Sequence, residues 1–216
     1  MARPILYAMG RSSCSWRVRA VLAWKGIKYE SRVVNAFAND NKTEEYRKMN
    51  PNQKIPALAI DGHVLTQSIA ILEYLEETRP ERPLLPKDPA KRAAVRAFVD
   101  IIGADIQPIQ SLSVMREISK DAAPEDQAKV TQAWCSKWIA RGFEALESLL
   151  QETSGKYCFG DELTLADIYR LPQVTNARYF SMDLSVYPTL ERIANTLSKE
   201  DIFLSTHPST INDGSS

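Results

Sequence analysis

Histidine is nearly absent from this chain. Only His63 and His207 occur in 216 residues, too few for a histidine-based metal centre or for the acid–base chemistry that side chain usually carries. Cysteine is scarce and odd in number, and Cys14, Cys135 and Cys158 share no C-x-x-C spacing. That excludes a disulfide framework and a cysteine zinc site, and it fits a reducing compartment, so the chain reads as cytoplasmic. Net charge is missing too, since 27 Lys and Arg offset 27 Asp and Glu. A main partner made of nucleic acid normally demands a basic excess, so that class is set aside. No apolar run approaches the ~20 residues that span a bilayer, so no membrane partner is expected. Met1-Ala2-Arg3-Pro4 lacks the apolar core of a secretory leader, and Asn212-Asp213-Gly214-Ser215-Ser216 carries no lipidation or retention signal. What remains, 44% hydrophobic and 25% charged, is the balance of an ordinary globular protein with one large or two small domains.

The first ~80 residues alternate strand and helix signals, the pattern of an α/β unit. Ile5–Tyr7 has strand character. Val18, Val21 and Leu22 keep the i, i+3, i+4 spacing of an amphipathic helix that stops at Gly26. Residues 29–34 read as a second strand, and a short helix is expected within residues 39–49. Ala57–Ile60, Asp61-Gly62 and Val64-Leu65 read as a hairpin, because Asp-Gly between two apolar runs favours its turn. A helix then runs from Gln67-Ser68 to about Thr78, with Ser68 as candidate N-cap and Ile69, Leu72 and Leu75 on one face.

Pro80-Glu81-Arg82-Pro83-Leu84-Leu85-Pro86 is not helix, since its prolines remove donors and restrict their neighbours. A linker at residues 81–88 therefore divides a domain at 1–80 from one at 89–216. Beyond it the pattern is helical. Asp88-Pro89 restarts a helix as cap and first residue. Ile139, Phe143, Leu146 and Leu150 share a helix face, Thr164 to Asp167 resembles a capping box, and Pro188 begins a further helix. Trp134, Trp138 and Phe143 read as core, and the last ~8 residues as a frayed end.

The polar cluster Arg11-Ser12-Ser13-Cys14-Ser15-Trp16-Arg17-Val18-Arg19 sits where the first strand turns into the first helix. Such a turn aims unpaired N–H groups and the positive end of the helix dipole at one spot, where an anion is stabilised. A thiolate is such an anion. Three hydroxyls, a thiol and three guanidinium groups crowd that spot, so it reads as a site that holds sulfur in ionised form. Cys14 itself, beside Arg17, either reacts, shapes the site or fills a small space. Arg19 reads as a surface residue paired with an acid, and Trp16 as packing under the turn.

A βαβ unit, a loop ending in Ile55-Pro56, a hairpin and a helix together resemble the thioredoxin fold, in which that proline is cis. The likeness then narrows. Ser12 to Arg19 resembles the fingerprint of the zeta class of glutathione transferases, the maleylacetoacetate isomerases. Asn50-Pro51, Ile55-Pro56, Gln67-Ser68, residues 73–80, Leu84-Leu85-Pro86, Ile106-Gln107-Pro108, Gly160-Asp161-Glu162 and Ala166-Asp167 resemble the same family. The resemblance implies a glutathione transferase fold: an α/β thioredoxin-like N-terminal domain plus an all-α C-terminal domain, paired as a homodimer. It implies glutathione as cofactor and cis–trans isomerisation of maleylacetoacetate to fumarylacetoacetate, a step of tyrosine and phenylalanine catabolism. A side activity on α-halo acids is implied as well.

The resemblance also assigns residues. Ser12 donates to the sulfur, with Ser13 as the alternative, and Cys14 and Arg17 complete the catalytic group. Glutathione contacts are implied at Ser12, Ser13, Cys14, Ser15, Trp16, Arg17, Ile55, Pro56, Gln67 and Ser68. Gln107, on the long helix past the linker, and Ser111, Leu112 and Ser113 join them. Ile55 would offer main-chain bonds, and the helix start at Gln67-Ser68 would take a carboxylate. Arg11 and Arg178 are the candidates for the substrate's carboxylates. The family's arginine aligns with Tyr179 rather than Arg178, and one helical residue is ~100° of rotation. Two rival readings are a thiol transferase or dehydroascorbate reductase using Cys14 covalently, and a non-catalytic interaction module.

Overall fold

The computed structural model describes residues 2–211. The expectations about the tail from Asn212 lie outside those residues. The chain divides into two compact units, Met1–Pro83 with Lys199–Ser216, and Leu84–Ser198.

In the first unit, β1 (Ile5–Ala8) pairs parallel with β2 (Glu30–Val33) and antiparallel with β3 (Ala57–Ile60). The hairpin partner β4 (His63–Thr66) completes a sheet of order β2-β1-β3-β4. The parallel pair needs a crossover, and α1 (Ser13–Trp24) supplies it. Val18, Val21 and Leu22 of α1 are fully buried, as their spacing requires. The helix ends in a Schellman motif: the N–H of Ile27 reaches Leu22 O and that of Gly26 reaches Ala23 O, with Gly26 at φ +66°. Positive φ at Asp61 and Gly62 is what a tight hairpin turn asks of this dipeptide. A 3₁₀ turn at Asp40–Lys42 and a short α2 (Glu44–Met49) fill the expected helical stretch.

The helix after the hairpin, α3 (Ser68–Thr78), corrects two expectations. Gln67 occupies the cap position and Ser68 is the first helical residue. The buried stripe is Ser68, Ile71, Leu72 and Leu75, an i, i+3, i+4, i+7 set, with Ile69 only half-buried. The chain also returns to this unit after Ser198. α9 (Asp201–Leu204) packs on α1 through Phe203, which is 1% exposed and meets the Trp16 ring edge-on at 6.1 Å. The boundary that assigned everything from residue 89 onward to the helical domain is therefore corrected for the segment from Lys199. A final 3₁₀ turn covers Pro208–Thr210.

The second unit is helical. Asp88 caps α4 (Pro89–Asp100) by accepting the N–H of Lys91 at 2.8 Å. The chain then winds as a π-helix over Ile101–Ile106 before Gln107 and Pro108. This wider winding accompanies a close approach to α6 (Gln127–Thr153): a Cβ on Gly142 would lie 2.2 Å from Ile106 Cδ1. α6 buries Ile139, Phe143, Leu146 and Leu150 completely. Of the three aromatics expected in the core only Phe143 is fully enclosed. Trp134 is half-buried and donates to Ile109 O at 3.1 Å, while Trp138 lines a cavity of about 370 Å³ beside Arg141. A short α5 (Leu112–Ser119) precedes α6.

The capping box opens α7 (Leu165–Tyr179), with the buried Asp167 carboxylate accepting the N–H and hydroxyl of Thr164 at 2.9 and 3.0 Å. α8 (Pro188–Leu197) starts at the expected proline, and the Glu147 carboxylate accepts the N–H groups of Thr189 and Leu190. Among the described residues no helix is long and apolar enough to cross a membrane.

Candidate active site

The register of the sheet gathers three of the expected segments at one end. Tyr7 of β1 pairs with Ala57, and Ala57 pairs with Thr66. The exit of β1, the entry of β3 and the exit of β4 are therefore neighbours. Residues 9–14, Ile55-Pro56 and Gln67-Ser68 lie at that same edge.

Ser12 is the N-cap of α1, in extended conformation (φ −73°, ψ 117°). Its Oγ accepts the N–H of Ser15 at 3.2 Å, and its C=O accepts that of Trp16 at 2.9 Å. Acting as acceptor leaves the hydroxyl proton of Ser12 available to a further partner. The first-turn N–H groups of Ser13 and Cys14 bond to no described residue, as helix geometry requires. Ser13 is buried, while Ser12 and Cys14 are half-buried. Arg17 is 1% exposed and brings Nη1 to 3.6 Å from Cys14 Sγ, so its charge reaches the turn from beneath rather than from solvent. Arg11 is exposed, its guanidinium 6.0 Å from the Phe37 ring. The result is a small cluster of donors without an acidic side chain in its first turn, suited to an anion.

Two residues of the cluster do not present side chains to that patch. Ser15 is fully buried, its Oγ receiving the Met9 N–H at 3.5 Å. Trp16 is 2% exposed and donates to Thr206 Oγ1 at 3.0 Å. They build the turn from below, so any part they take in holding a ligand falls to their main chain. Arg19 departs further from expectation. It is buried, not a surface residue, and its fork is spent on three carbonyls: Met9 O at 3.2 Å, Gly10 O at 2.8 Å and Thr206 O at 3.3 Å.

The other two segments offer backbone. Pro56 follows a cis peptide bond, as the resemblance implies. Neither the N–H nor the C=O of Ile55 is bonded to a described residue, so an extended ligand can pair there. Gln67 holds φ +66° and ψ 119°, a conformation that costs a residue with a Cβ about 1–3 kcal/mol and that collects at ligand-binding turns. Ser68 starts α3 directly behind it.

The remaining residues belong to the second unit. Gln107 is half-buried just after the π-helical turn. Ser111 precedes α5 with its Oγ 3.2 Å from that of Ser113, and Leu112 opens the helix. Arg178 is exposed and donates to Asn195 Oδ1 at 3.3 Å, while Tyr179 beside it is 67% exposed.

Relatives speak to the same arrangement. Residues 11–78 match the glutathione S-transferase N-terminal domain, and residues 112–201 match the C-terminal domain. A maleylacetoacetate isomerase of Mus musculus is 49% identical over 208 residues, covering 95% of this chain and 93% of that protein. A solved bacterial maleylpyruvate isomerase, described as a zeta-class glutathione S-transferase in its holo form, superposes with a TM-score of 0.92. It is 38% identical and covers 97% of this chain and 99% of that one. The chain belongs to the zeta class of glutathione transferases.

A third relative carries ligands. The maleylacetoacetate isomerase of Anaeromyxobacter dehalogenans 2CP-1, solved with dicarboxyethyl glutathione and citrate in its active site, is 38% identical. It covers 99% of this chain and 98% of that one, with a TM-score of 0.86. Within this zeta-class chain, the polar cluster at the strand-to-helix turn was readable from the sequence, and the roles expected of its residues came through the family resemblance. The roles of Arg19 and Thr206 were not, because 187 residues separate them. The strain at Gln67 left no sequence signal beyond a polar residue before a helix.

Proposed function

We propose that this protein uses glutathione to isomerise the cis double bond of maleylacetoacetate to the trans form. The observation that carries this reading is the hydroxyl of Ser12 set beside unpaired first-turn N–H groups over a buried guanidinium. When bound, glutathione supplies a thiolate that adds to the double bond, permits rotation about the resulting single bond, and leaves again.

The chain's own residues answer the demands of that chemistry. Ser12 donates its proton towards the sulfur, a charge-assisted bond worth about 1.5–3 kcal/mol, and Ser13 is the alternative donor. The dipole of α1 and the charge of Arg17 favour negative charge at the same point. Ile55 pairs main chain to main chain with the peptide, and the start of α3 at Gln67-Ser68 takes its γ-glutamyl carboxylate. Gln107, Ser111, Leu112 and Ser113 are assigned to glutathione on the family likeness. Arg11 and Arg178 are assigned to the substrate's carboxylates. The likeness also supports a cytoplasmic homodimer working in tyrosine and phenylalanine breakdown, with side activity on α-halo acids.

The experiment is turnover of maleylacetone, a stable substrate mimic, with and without glutathione. Turnover that needs catalytic amounts of glutathione and does not consume it is the expected result. Turnover indifferent to glutathione overturns the proposal. Maleylpyruvate should be tried beside it, because a related chain of Ralstonia sp, 40% identical over 200 residues, is a maleylpyruvate isomerase.

A further inference from the structure

Buried beneath the site, a line of hydrogen bonds joins the catalytic turn to a segment almost 200 residues away. Met9 O receives both the N–H of Ser12, at 3.2 Å, and Nη1 of Arg19, at 3.2 Å. Gly10 O receives Nη2 of the same arginine at 2.8 Å. Nε of Arg19 then turns to Thr206 O at 3.3 Å, while Thr206 Oγ1 takes the indole N–H of Trp16 at 3.0 Å. The Thr206 hydroxyl in turn donates to Ile202 O. Arg19, Trp16 and Phe203 are at most 2% exposed and Thr206 is 6% exposed. A planar fork on three carbonyls tolerates little movement of any of them.

We propose that Arg19 and Thr206 are positioning residues for the ionisation of glutathione, and that residues 201–207 are a working part of the site. This rests on the functional reading above. Neither side chain meets the ligand. Arg19 fixes the two carbonyls that shape the turn ending at Ser12, and Thr206 fixes Arg19 and Trp16 from the far side. A few tenths of an ångström at Met9 and Gly10 swing the Ser12 hydroxyl and the first-turn N–H groups away from the sulfur. Donor geometry of this kind governs how well a charge is held.

The test titrates the thiolate of bound glutathione by its ultraviolet absorbance, in the full-length protein and in Arg19→Lys, Thr206→Val and Thr206→Ser. Lysine keeps the charge but loses the fork, and valine keeps the shape but loses the hydroxyl. Both should raise the pH at which the bound thiol ionises and move the acid limb of kcat/KM the same way. Their kcat/KM should fall on the order of ten- to a hundredfold, as a small displacement from a distance can cost. Serine, which restores the hydroxyl, should return the titration towards wild type even if melting temperature stays low. If the wild type ionises glutathione and Arg19→Lys and Thr206→Val titrate as it does, the inference is wrong and the functional reading survives. A wild type that shows no thiolate sinks both.

Discussion

Ser12 does two jobs with one oxygen. As acceptor it caps α1 through the N–H of Ser15, and as donor it would serve the glutathione sulfur in the proposed reaction. Removing it costs both, and the two losses read out separately. Ser12→Ala should lose about 1 kcal/mol of stability as a missing cap. It should also lower kcat/KM on the order of ten- to a hundredfold, the equivalent of a charge-assisted bond. Calorimetry checks the first and maleylacetone kinetics the second. Should Ser13→Ala lose the activity instead, the donor has been misassigned. Cys14 sits half-buried with Arg17 at its sulfur, a setting that also suits a reactive thiol. Cys14→Ala separates the readings: isomerase turnover stays within a few-fold of wild type, while any disulfide reductase activity disappears. An isomerase silenced by that change would make the cysteine a reactant. At this scale the sequence was most legible where partners are near neighbours. Ser12, Ser13, Cys14 and Arg17 fall within one and a half helical turns, so the sequence shows them as one cluster, and the family resemblance supplies the roles proposed for them. Arg19 looked identical in kind, and only its acceptors at Met9, Gly10 and Thr206 distinguish a buried clamp from a surface charge.

Elements were read well when their ends carried their own chemistry. The Asp-Gly hairpin, the Asp88 cap, the capping box of α7 and the Schellman end at Gly26 all involve contacts within a few residues, which a linear pattern displays. The π-helical turn at Ile101–Ile106 had no such marker, because its packing partner is Gly142 on another helix. The capping box itself predicts a large effect. Asp167 is fully buried and holds the N–H groups of Thr164 and Cys158 together with the Thr164 hydroxyl. Asp167→Ala leaves three buried donors unmet and should cost about 3–5 kcal/mol, visible as a lower urea midpoint. A loss under about 1 kcal/mol would mean that water replaces the carboxylate.

The hairpin tip supplies a pH test. Hydrogen bonds from Arg79 and then Tyr74 hold the Asp61 carboxyl down to about 2, below its ordinary value of about 3.9. A group lowered on folding contributes above the unfolded value and loses that contribution as pH falls towards the folded one. The difference in melting temperature between wild type and Asp61→Asn should therefore be constant from neutral pH to about pH 5. It should shrink between there and about pH 2. A difference that persists undiminished at the acid end would show that the carboxylate charge is not its source.

For the molecule as a whole, the linker was legible but the return of the chain was not. Prolines at 80, 83 and 86 announce an interruption in any reading. Nothing local announces that residues after Ser198 rejoin the first unit, because Phe203 and Thr206 are recognised only by what Trp16 and Arg19 do with them. That return makes a prediction about autonomy. Residues 84–198 contain the α4, α6, α7 and α8 core entire, so this fragment should melt cooperatively by itself. Residues 1–83 alone leave the Trp16 indole without its acceptor and Arg19 short of one carbonyl, and they strip Phe203 from the face of α1. An unmet buried donor costs about 1–3 kcal/mol, and exposing a phenylalanine costs a similar amount. Against the marginal stability of so small a unit these losses are decisive. The 1–83 fragment should give a broad, non-cooperative melt, and fusing residues 199–211 to it through a flexible linker should restore a sharp one. Equal sharpness without the added segment would show that the sheet and its three helices suffice, and that the returning segment serves the site rather than the fold.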